Sequence, residues 1–367
     1  MVSDHNLSLL IQHNLKVFPD THTYLLRDLR DHWATTKPLA GIKLLHNIPV
    51  TYETLVKLES LLAAGAELTV VHPKFLETPP AEEIIGTLAN IGVHYVKLHQ
   101  DVEGEFDIAL DCCAEVPNMP KVKVRKGIAE LTQSGGEQYR QMNTPFPVIN
   151  IDESNLKKLE GMYGTGEAFT RAIKERTEQS IKNLRFMVFG FGKVGRGIVK
   201  YLLKETPHIT VVEQSPYQLQ KARELGVEAL DIAHLEEVKR RAKEMFCLVT
   251  ATGQPQLLSK YLSPEDCPQA IIANMGASDE IGLKFNHKKI LCSHMPINFS
   301  LKHPTLLHFI DPVFYAHNLT AQLLLENNYA AGYHPFPSYL DELIIRLWNT
   351  YNPMDISDIF NAPPSPL

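Results

Sequence analysis

The chain has 367 residues, a net charge of −6 and a pI near 6.2. That is length for two domain cores, with no electrostatic footprint for nucleic acid or an anionic membrane. Its cysteines, Cys112, Cys113, Cys247, Cys267 and Cys292, are odd in number and form no Cys-x-x-Cys pair, which argues against a disulfide framework or a zinc site and for a reducing compartment. The first residues are polar, with no cationic lead before an apolar core, and no apolar run approaches the ~18 residues of a membrane span. The expectation is a cytoplasmic protein without a membrane or nucleic-acid partner.

Taken in chain order, short apolar runs at 42–45, 68–71, 93–98 and 108–110 alternate with helix-period segments at 52–64 and 81–90. Alternating β and α elements predict a mostly parallel sheet covered by helices. Residues 117–147 are rich in polar and breaker residues and read as loops with one or two short helices. A polar helical stretch at 155–180 bridges into a second α/β region, whose later strands are read at 229–231, 247–253 and 270–276. Segment 308–314, an apolar helix at 319–325, a last helix at 340–348 and a tail with four prolines at 352–367 complete the chain.

The bridge leads into the most informative stretch. An apolar run, 186–189, flows into Gly190-x-Gly192-x-x-Gly195; an amphipathic segment, 194–203, and a second apolar run, 209–212, closed by Glu213 follow. Strand, glycine turn, helix and second strand ended by an acid make up the dinucleotide-binding fingerprint in its required context. Gly190 permits the tight turn, Gly192 lets a pyrophosphate approach the backbone, and Gly195 lets helix and strand pack closely. The helix N-terminus, at Lys193 and Val194, offers unpaired N–H groups and a positive dipole end. Glu213 accepts hydrogen bonds from ribose hydroxyls and repels a 2′-phosphate, so NAD is favoured over NADP. The bland alternative for Glu213 is a solvated acid at a strand end.

Further stretches bear a specific resemblance. Gly-Phe-Gly-Lys-Val-Gly-Arg-Gly at 190–197, Val-Thr-Ala-Thr-Gly at 249–253 and Ala-Asn-Met-Gly at 273–276 resemble successive motifs of S-adenosylhomocysteine hydrolase. So do Val-Thr-Tyr-Glu-Thr at 50–54, Arg-Lys-Gly-Ile-Ala-Glu at 125–130, Val-Ile-Asn at 148–150, Met-Tyr-Gly at 162–164 and Pro-Ser-Tyr-Leu-Asp-Glu at 337–342. The matches run in order from about residue 40 to about residue 350. The resemblance implies two doubly wound, Rossmann-like α/β domains, with the substrate domain split around the NAD-binding domain. The expected boundaries are 1–165 and 311–350 for the substrate domain, 166–310 for the NAD domain and 351–367 for a tail. It also implies a reaction in which NAD transiently oxidises a substrate hydroxyl, so that a neighbouring C–H becomes acidic, a thioether leaves and water adds before the hydride returns.

Carried over residue by residue, the resemblance places Thr51 and Glu53 at the adenine end of a substrate and Lys157 at the sugar hydroxyl, with Lys158 a competing assignment. Glu160 stands for a nearby aspartate. Thr132, Gln133 and Ser134 fall on a threonine run at the nicotinamide side. Thr250, Thr252, Gly253 and Asn274 line the cofactor along with Gly190, Gly192, Lys193, Val194, Gly195 and Glu213. Elsewhere this chain departs from the family. A substrate-contacting aspartate falls on Cys112, a glutamate on Leu131, histidines on Ala277 and Asp311, and a cysteine on Thr165; Asp311 is kept as a candidate catalytic residue beside Lys157 and Glu160, and Cys112 and His46 as candidate substrate contacts beside Thr51 and Glu53. An adenine-site histidine falls on Pro49, or on His46 if two residues are inserted. The family's tail carries a lysine that reaches a neighbour's NAD; here the residues beyond Trp348 hold no lysine or arginine.

The expectation is a divergent homologue. It keeps NAD and takes a nucleoside-like small molecule, with weak or absent hydrolysis of S-adenosylhomocysteine, and it forms a homo-oligomer. The alternatives are an NAD-dependent alcohol dehydrogenase with net turnover and a catalytically silent NAD-binding regulator. Several site residues have structural readings too: Thr51 as an N-cap, Glu53 as a partner of a helix dipole, Lys157 and Glu160 as a surface pair, and His46 as a core histidine. His294, His303 and His308 lack metal-like spacing backed by a carboxylate, so no metal is expected.

Overall fold

A computed structural model describes residues 2–18, 23–76, 78–286, 288–326 and 328–360. The chain begins with two helices, α1 (Asp4–Val17) and α2 (Tyr24–Thr36). Then follow β1 (Lys43–Asn47), α3 (Tyr52–Ala63), β2 (Glu67–Val71), α4 (Glu82–Asn90), β3 (His94–Val96), β4 (Glu103–Asp111), β5 (Lys121–Glu130), α5 (Gln133–Gln141) and β6 (Pro147–Asn150). After α6 (Asn155–Leu159), a single π-helical turn (Glu160–Gly164) and α7 (Thr165–Thr177) come β7 (Phe186–Phe189), α8 (Lys193–Leu202), β8 (Ile209–Glu213), α9 (Pro216–Glu224) and β9 (Glu228–Asp231). The remaining elements are α10 (Leu235–Ala242), β10 (Cys247–Thr250), α11 (Leu257–Tyr261), β11 (Ile271–Asn274), α12 (Leu307–Glu326), β12 (Gly332–Pro335), α13 (Ser338–Tyr351) and α14 (Ser357–Phe360).

The elements form two compact units. One runs to Lys158 and resumes at Leu307; the other is Leu159–Leu306. The divisions therefore fall a few residues before the expected 166 and 311.

The first unit holds a seven-stranded sheet in the order β12-β6-β5-β4-β1-β2-β3, all strands parallel. From β1 the chain winds outward through β2 and β3, then returns to place β4 on β1's other side. The strand order thus reverses between β1 and β4, and α/β sheets bind ligands outside the carboxyl ends of their strands at such a point. Leu45, Ala109, Ile128 and Val148 form one face of the core with Tyr139 of α5.

The ten-residue strand β5 corrects the reading of 117–147 as loops. Its first six residues are exposed or half-buried and its last four are fully buried. Lys123 pairs with Glu105 of β4 at 2.8 Å on the exposed half, so this half looks polar in sequence although its backbone is paired along β4.

The second unit holds five parallel strands in the order β11-β10-β7-β8-β9, with the reversal between β7 and β10. Phe186 and Val188 point to one core cluster, Met187 and Phe189 to the other. This is why β7 reads as a continuous apolar run: it is buried on both faces. Helices α7 and α8 approach so closely that a Cβ on Gly166 would collide with the Gly197 backbone.

Candidate NAD cradle and the strand-end crevice of the first unit

In the second unit, β7 ends in Gly190 at φ +92, where an ideal Cβ would meet the Ala251 carbonyl oxygen at 2.5 Å. Gly195 packs its α-carbon on the Gly190 carbonyl, which a side chain would displace. Gly192 differs from both: no atom lies within 4 Å of a Cβ built there. It precedes the first residue of the ten-residue helix α8, whose N-terminus has no side-chain cap. The turn therefore leaves open space in front of a helix N-terminus, the arrangement an anionic pyrophosphate needs. Lys193 and Val194 form the first turn of α8, Val194 resting partly on the apolar core. Glu213 closes β8. One carboxylate oxygen accepts from Phe191 N at 2.9 Å, the other from Gln214 N at 2.7 Å and Ser215 N at 3.0 Å. Three backbone donors aim the carboxylate at the turn, and its remaining lone pairs can accept from ribose hydroxyls.

The loop after β10 faces the same switch point. Its organiser is Glu280, a buried residue the sequence reading did not single out. Glu280 accepts from Thr252 N and Thr252 Oγ1, both at 2.8 Å, and from Gly253 N at 2.7 Å. Burial raises its carboxyl, opposed by those donors. Thr252 and Gly253 thus shape the loop from behind, their donors already used. Thr250 donates to Asn274 Oδ1 at 3.1 Å, and the Asn274 amide donates to the carbonyls of Gly276, Ser278 and His294. The donor set and the open turn fit NAD.

In the first unit, four strands end in buried polar side chains: Asn47, Asp111, Glu130 and Asn150. Asn47 donates to Asp111 at 2.8 Å, and the Tyr139 hydroxyl donates to the other Asp111 oxygen at 2.6 Å. Burial pushes the Asp111 carboxyl above the usual carboxylate range, with Glu130 adding to the effect. Glu130 accepts from the amides of Cys113, Leu131, Thr132 and Ala114 and from the Thr132 hydroxyl at 2.6 Å. Burial raises this carboxyl as well, opposed by Thr132. Helix α5 accommodates both strand ends only because it opens with glycines. A Cβ on Gly135 would strike the Glu130 carboxylate, and one on Gly136 the Asn150 amide.

The structure places the remaining first-unit residues of the sequence reading as follows. Thr132 is the N-cap of α5, accepting from Gly135 N at 3.1 Å. Gln133 donates to Glu137 at 3.1 Å, and the Ser134 hydroxyl meets Cys113 Sγ at 3.7 Å. Cys112, 3 % exposed, follows Asp111 in the switch crevice. Thr51 and Glu53 sit at the start of α3, just past the end of β1; Thr51 occupies the N-cap position without a capping bond, and Glu53 is buried. Lys157 lies half-buried on α6, its amide donating to Ser154 Oγ at 3.2 Å. Asp341, another residue the sequence reading did not assign, accepts from Asn155 N and Leu156 N at 2.9 and 3.0 Å and so fixes the helix start that carries Lys157. Glu160, in the second unit, takes the Thr165 hydroxyl at 3.2 Å.

Two expected site residues have other work. Asp311 is 2 % exposed, and its two oxygens accept from Leu25 N and Leu26 N at 3.0 Å each. Both oxygens are thus taken up in capping α2. His46 is fully buried on β1, with its Nε2 3.3 Å from Lys57 Nζ. Lys57 is itself buried and 2.5 Å from Asn318 Oδ1. Burial lowers the pKa of both groups, and both side chains lie wholly inside the core of the first unit.

Comparison with known proteins agrees with the second unit's geometry. Residues 161–299 match the family described as S-adenosyl-L-homocysteine hydrolase, NAD binding domain. The chain is 26 % identical over 281 residues to an S-inosyl-L-homocysteine hydrolase from Methanopyrus kandleri, covering 70 % of this chain and 64 % of that protein. It is 26 % identical over 293 residues to an adenosylhomocysteinase from Sulfolobus acidocaldarius, covering 74 % and 69 %. The chain is thus similar to S-adenosylhomocysteine hydrolases, and the family match lies in its second unit. The matched stretch spans about two thirds of either relative's length. Among solved structures, a dipicolinate synthase chain from Bacillus halodurans superposes with a TM-score of 0.51 at 13 % identity, covering 79 % of this chain and all of that one, a likeness of fold alone. NAD is accordingly the cofactor of the second unit. No helix among the described residues is long and apolar enough to cross a membrane.

Proposed function

We propose that this protein is an NAD-dependent enzyme that transiently oxidises a hydroxyl of a nucleoside-like or thioether substrate, with weak or absent hydrolysis of S-adenosylhomocysteine. The observation that carries the reading is the open space at Gly192 before the uncapped α8 helix, with Glu213 tied to the same turn. NAD supplies the acceptor and donor of hydride. The chain's residues bind and orient: the first turn of α8 receives phosphate, and Glu213 accepts from ribose. On the substrate side, Thr51 and Glu53 contact the base end, Cys112 contacts the substrate and Lys157 holds the alcohol proton; Glu160 is a second catalytic candidate. Thr132, Gln133 and Ser134 close the nicotinamide side.

Altered substrate choice is supported by the residues at the family's site positions. Cys112, Leu131 and Ala277 stand where the family resemblance calls for an acid, an acid and a histidine, and Asp311 is committed to capping α2. A pocket so changed is less polar beside the sugar. The two relatives act by name on an inosyl and an adenosyl substrate, so variation of the base is a reasonable axis of difference. The partner is a small molecule, and the working unit a homo-oligomer.

The test is to mix NAD-loaded protein with a panel of nucleosides and nucleoside thioethers and follow the absorbance of reduced nicotinamide. Transient reduction by one member supports the proposal. Stoichiometric release of NADH would make the protein an alcohol dehydrogenase. NAD binding with no response to any member would make it a silent regulator.

A further inference from the structure

Two cysteines sit side by side at the carboxyl end of β4, at the switch point of the first unit's sheet. Their sulfurs are 3.9 Å apart. Cys112 is buried and Cys113 half-buried, so Cys113 is the more accessible of the two. Cys113 lies beside the N-terminus of the nine-residue helix α5, where the Ser134 hydroxyl donates toward its sulfur at 3.7 Å. Helix N-termini and hydroxyl donors favour thiolate over thiol. Three carboxylates, Asp111, Glu115 and Glu130, stand around the pair and oppose negative charge. The net effect lowers the Cys113 thiol below its ordinary range, chiefly through the hydrogen bond from Cys112, whose own thiol is raised.

The backbone is also distinctive. Cys113 and Ala114 are consecutive non-glycine residues in the left-handed region, at φ 62 and 52. They are held there because Cys113 N donates to both Glu130 and Thr132, and Ala114 N to Glu130. Single non-glycine residues in this conformation are uncommon, and strain of this kind concentrates at functional sites.

We propose that Cys113 and Cys112 form a thiol–disulfide exchange site for low-molecular-weight disulfides, Cys113 attacking and Cys112 resolving. In the first step the Cys113 thiolate attacks one sulfur of a disulfide RSSR. A Cys113–S–SR bond forms, the S–S bond of RSSR breaks, and RS⁻ leaves. In the second step Cys112 sulfur attacks Cys113 Sγ, displacing a second RS⁻ and closing a disulfide between the adjacent residues. The two cysteine protons end on the two departing thiolates. Two protein thiols are oxidised and one small disulfide is reduced to two thiols. Adjacent α-carbons lie about 3.8 Å apart across a trans peptide, closer than the usual span of a disulfide, so the bond is strained and readily reduced. The pair therefore acts as a reversible switch rather than a staple, at the loop whose amides hold Glu130. This inference does not depend on which substrate the enzyme takes.

The experiment uses reduced full-length protein and oxidised glutathione, read by intact-mass and peptide mass spectrometry. The wild type should lose two hydrogens, mapped to the peptide bearing both residues, and regain them with a dithiol reductant. Cys112→Ser should stop at a glutathione adduct on Cys113, and Cys113→Ser should give neither product. In unmodified wild type, iodoacetamide should label Cys113 at least about tenfold faster than Cys292, the other half-buried cysteine. A stable adduct in the wild type, an adduct mapped to Cys292, or equal labelling of Cys113 and Cys292 would overturn the proposal.

Discussion

The backbone amide of Phe191 donates to the Glu213 carboxylate at 2.9 Å. This bond joins the acid that ends β8 to the middle of the glycine turn after β7, so the ribose acceptor and the phosphate cradle are set by one another. Replacing Glu213 with Ala should weaken NAD about tenfold or more, by removing both the acceptor and the tie. The wild type should prefer NAD strongly over NADP, because a carboxylate repels a 2′-phosphate. Calorimetry with both nucleotides checks this; equal affinity, or tighter NADP, would contradict the role given to Glu213.

Gly192→Val should abolish NAD binding while leaving the fold intact. The space at Gly192 is open, so a Cβ there meets no protein atom within 4 Å, and a valine side chain instead fills the approach a pyrophosphate uses. Retained affinity in a folded Gly192→Val protein, by calorimetry and circular dichroism, would remove the phosphate from this turn.

Gly135→Ala should destabilise the first unit by about 1–3 kcal/mol, because its Cβ must displace the Glu130 carboxylate. Gly86→Ala is the matched control. Gly86 sits in α4 with nothing near its would-be Cβ, and alanine there should stabilise by about 0.5–1 kcal/mol. Urea denaturation of both variants separates the effects.

Asp311 supplies a pH dependence. Burial raises its folded pKa to about 7 from 3.8, opposed by the Leu26 and Leu25 amides. The folded state therefore holds a proton that the unfolded state releases between pH of about 4 and about 7, and this contribution to stability is lost as pH rises through the folded value. Wild type should lose stability relative to Asp311→Asn as pH goes from about 4.5 to about 7.5. A wild-type stability relative to the variant that stays flat or rises with pH, by denaturant unfolding, would contradict the assignment.

The residues beyond Trp348 offer no cation to a cofactor. Residues 361–367 of that tail lie outside the described residues, and α14 ends at Phe360. Deleting residues 353–367 should change NAD affinity by less than about threefold, under ~0.7 kcal/mol. Light scattering of the truncated protein, alongside NAD titration, checks this; loss of both oligomer and cofactor would restore the family's tail arrangement.

What was legible in the sequence was local. The cradle of the second unit lies within one strand–turn–helix–strand stretch, and each glycine's job follows from its neighbours. Residues acting across the chain were not legible. Asp341 caps α6 from 186 positions away, and Asp311 caps α2 from 286. Neither pairing leaves a periodicity, and Asp311 in particular looks like a lost catalytic position until its two amide donors are seen. Glu280 was hidden for the same reason, since its partners Thr252 and Gly253 lie across a strand and a helix. Strand β5 was hidden by its own chemistry: lysines and arginine on its exposed half read as loop. The crevice's Asp111 and Glu130 lay beside residues that were singled out. Only the sheet's strand order brings them together.

The most direct test of the central claim is a coupled assay for homocysteine released from S-adenosylhomocysteine by NAD-loaded protein. The account predicts turnover far below an ordinary enzyme rate of ~10 s⁻¹, since losing one proton-transfer group costs ~10²–10⁴ and several are replaced here. Any residual turnover should fall further in Lys157→Ala and persist in Lys158→Ala. Turnover of wild type near ~10 s⁻¹ would contradict the account, showing that other groups in this crevice carry the family's chemistry unchanged.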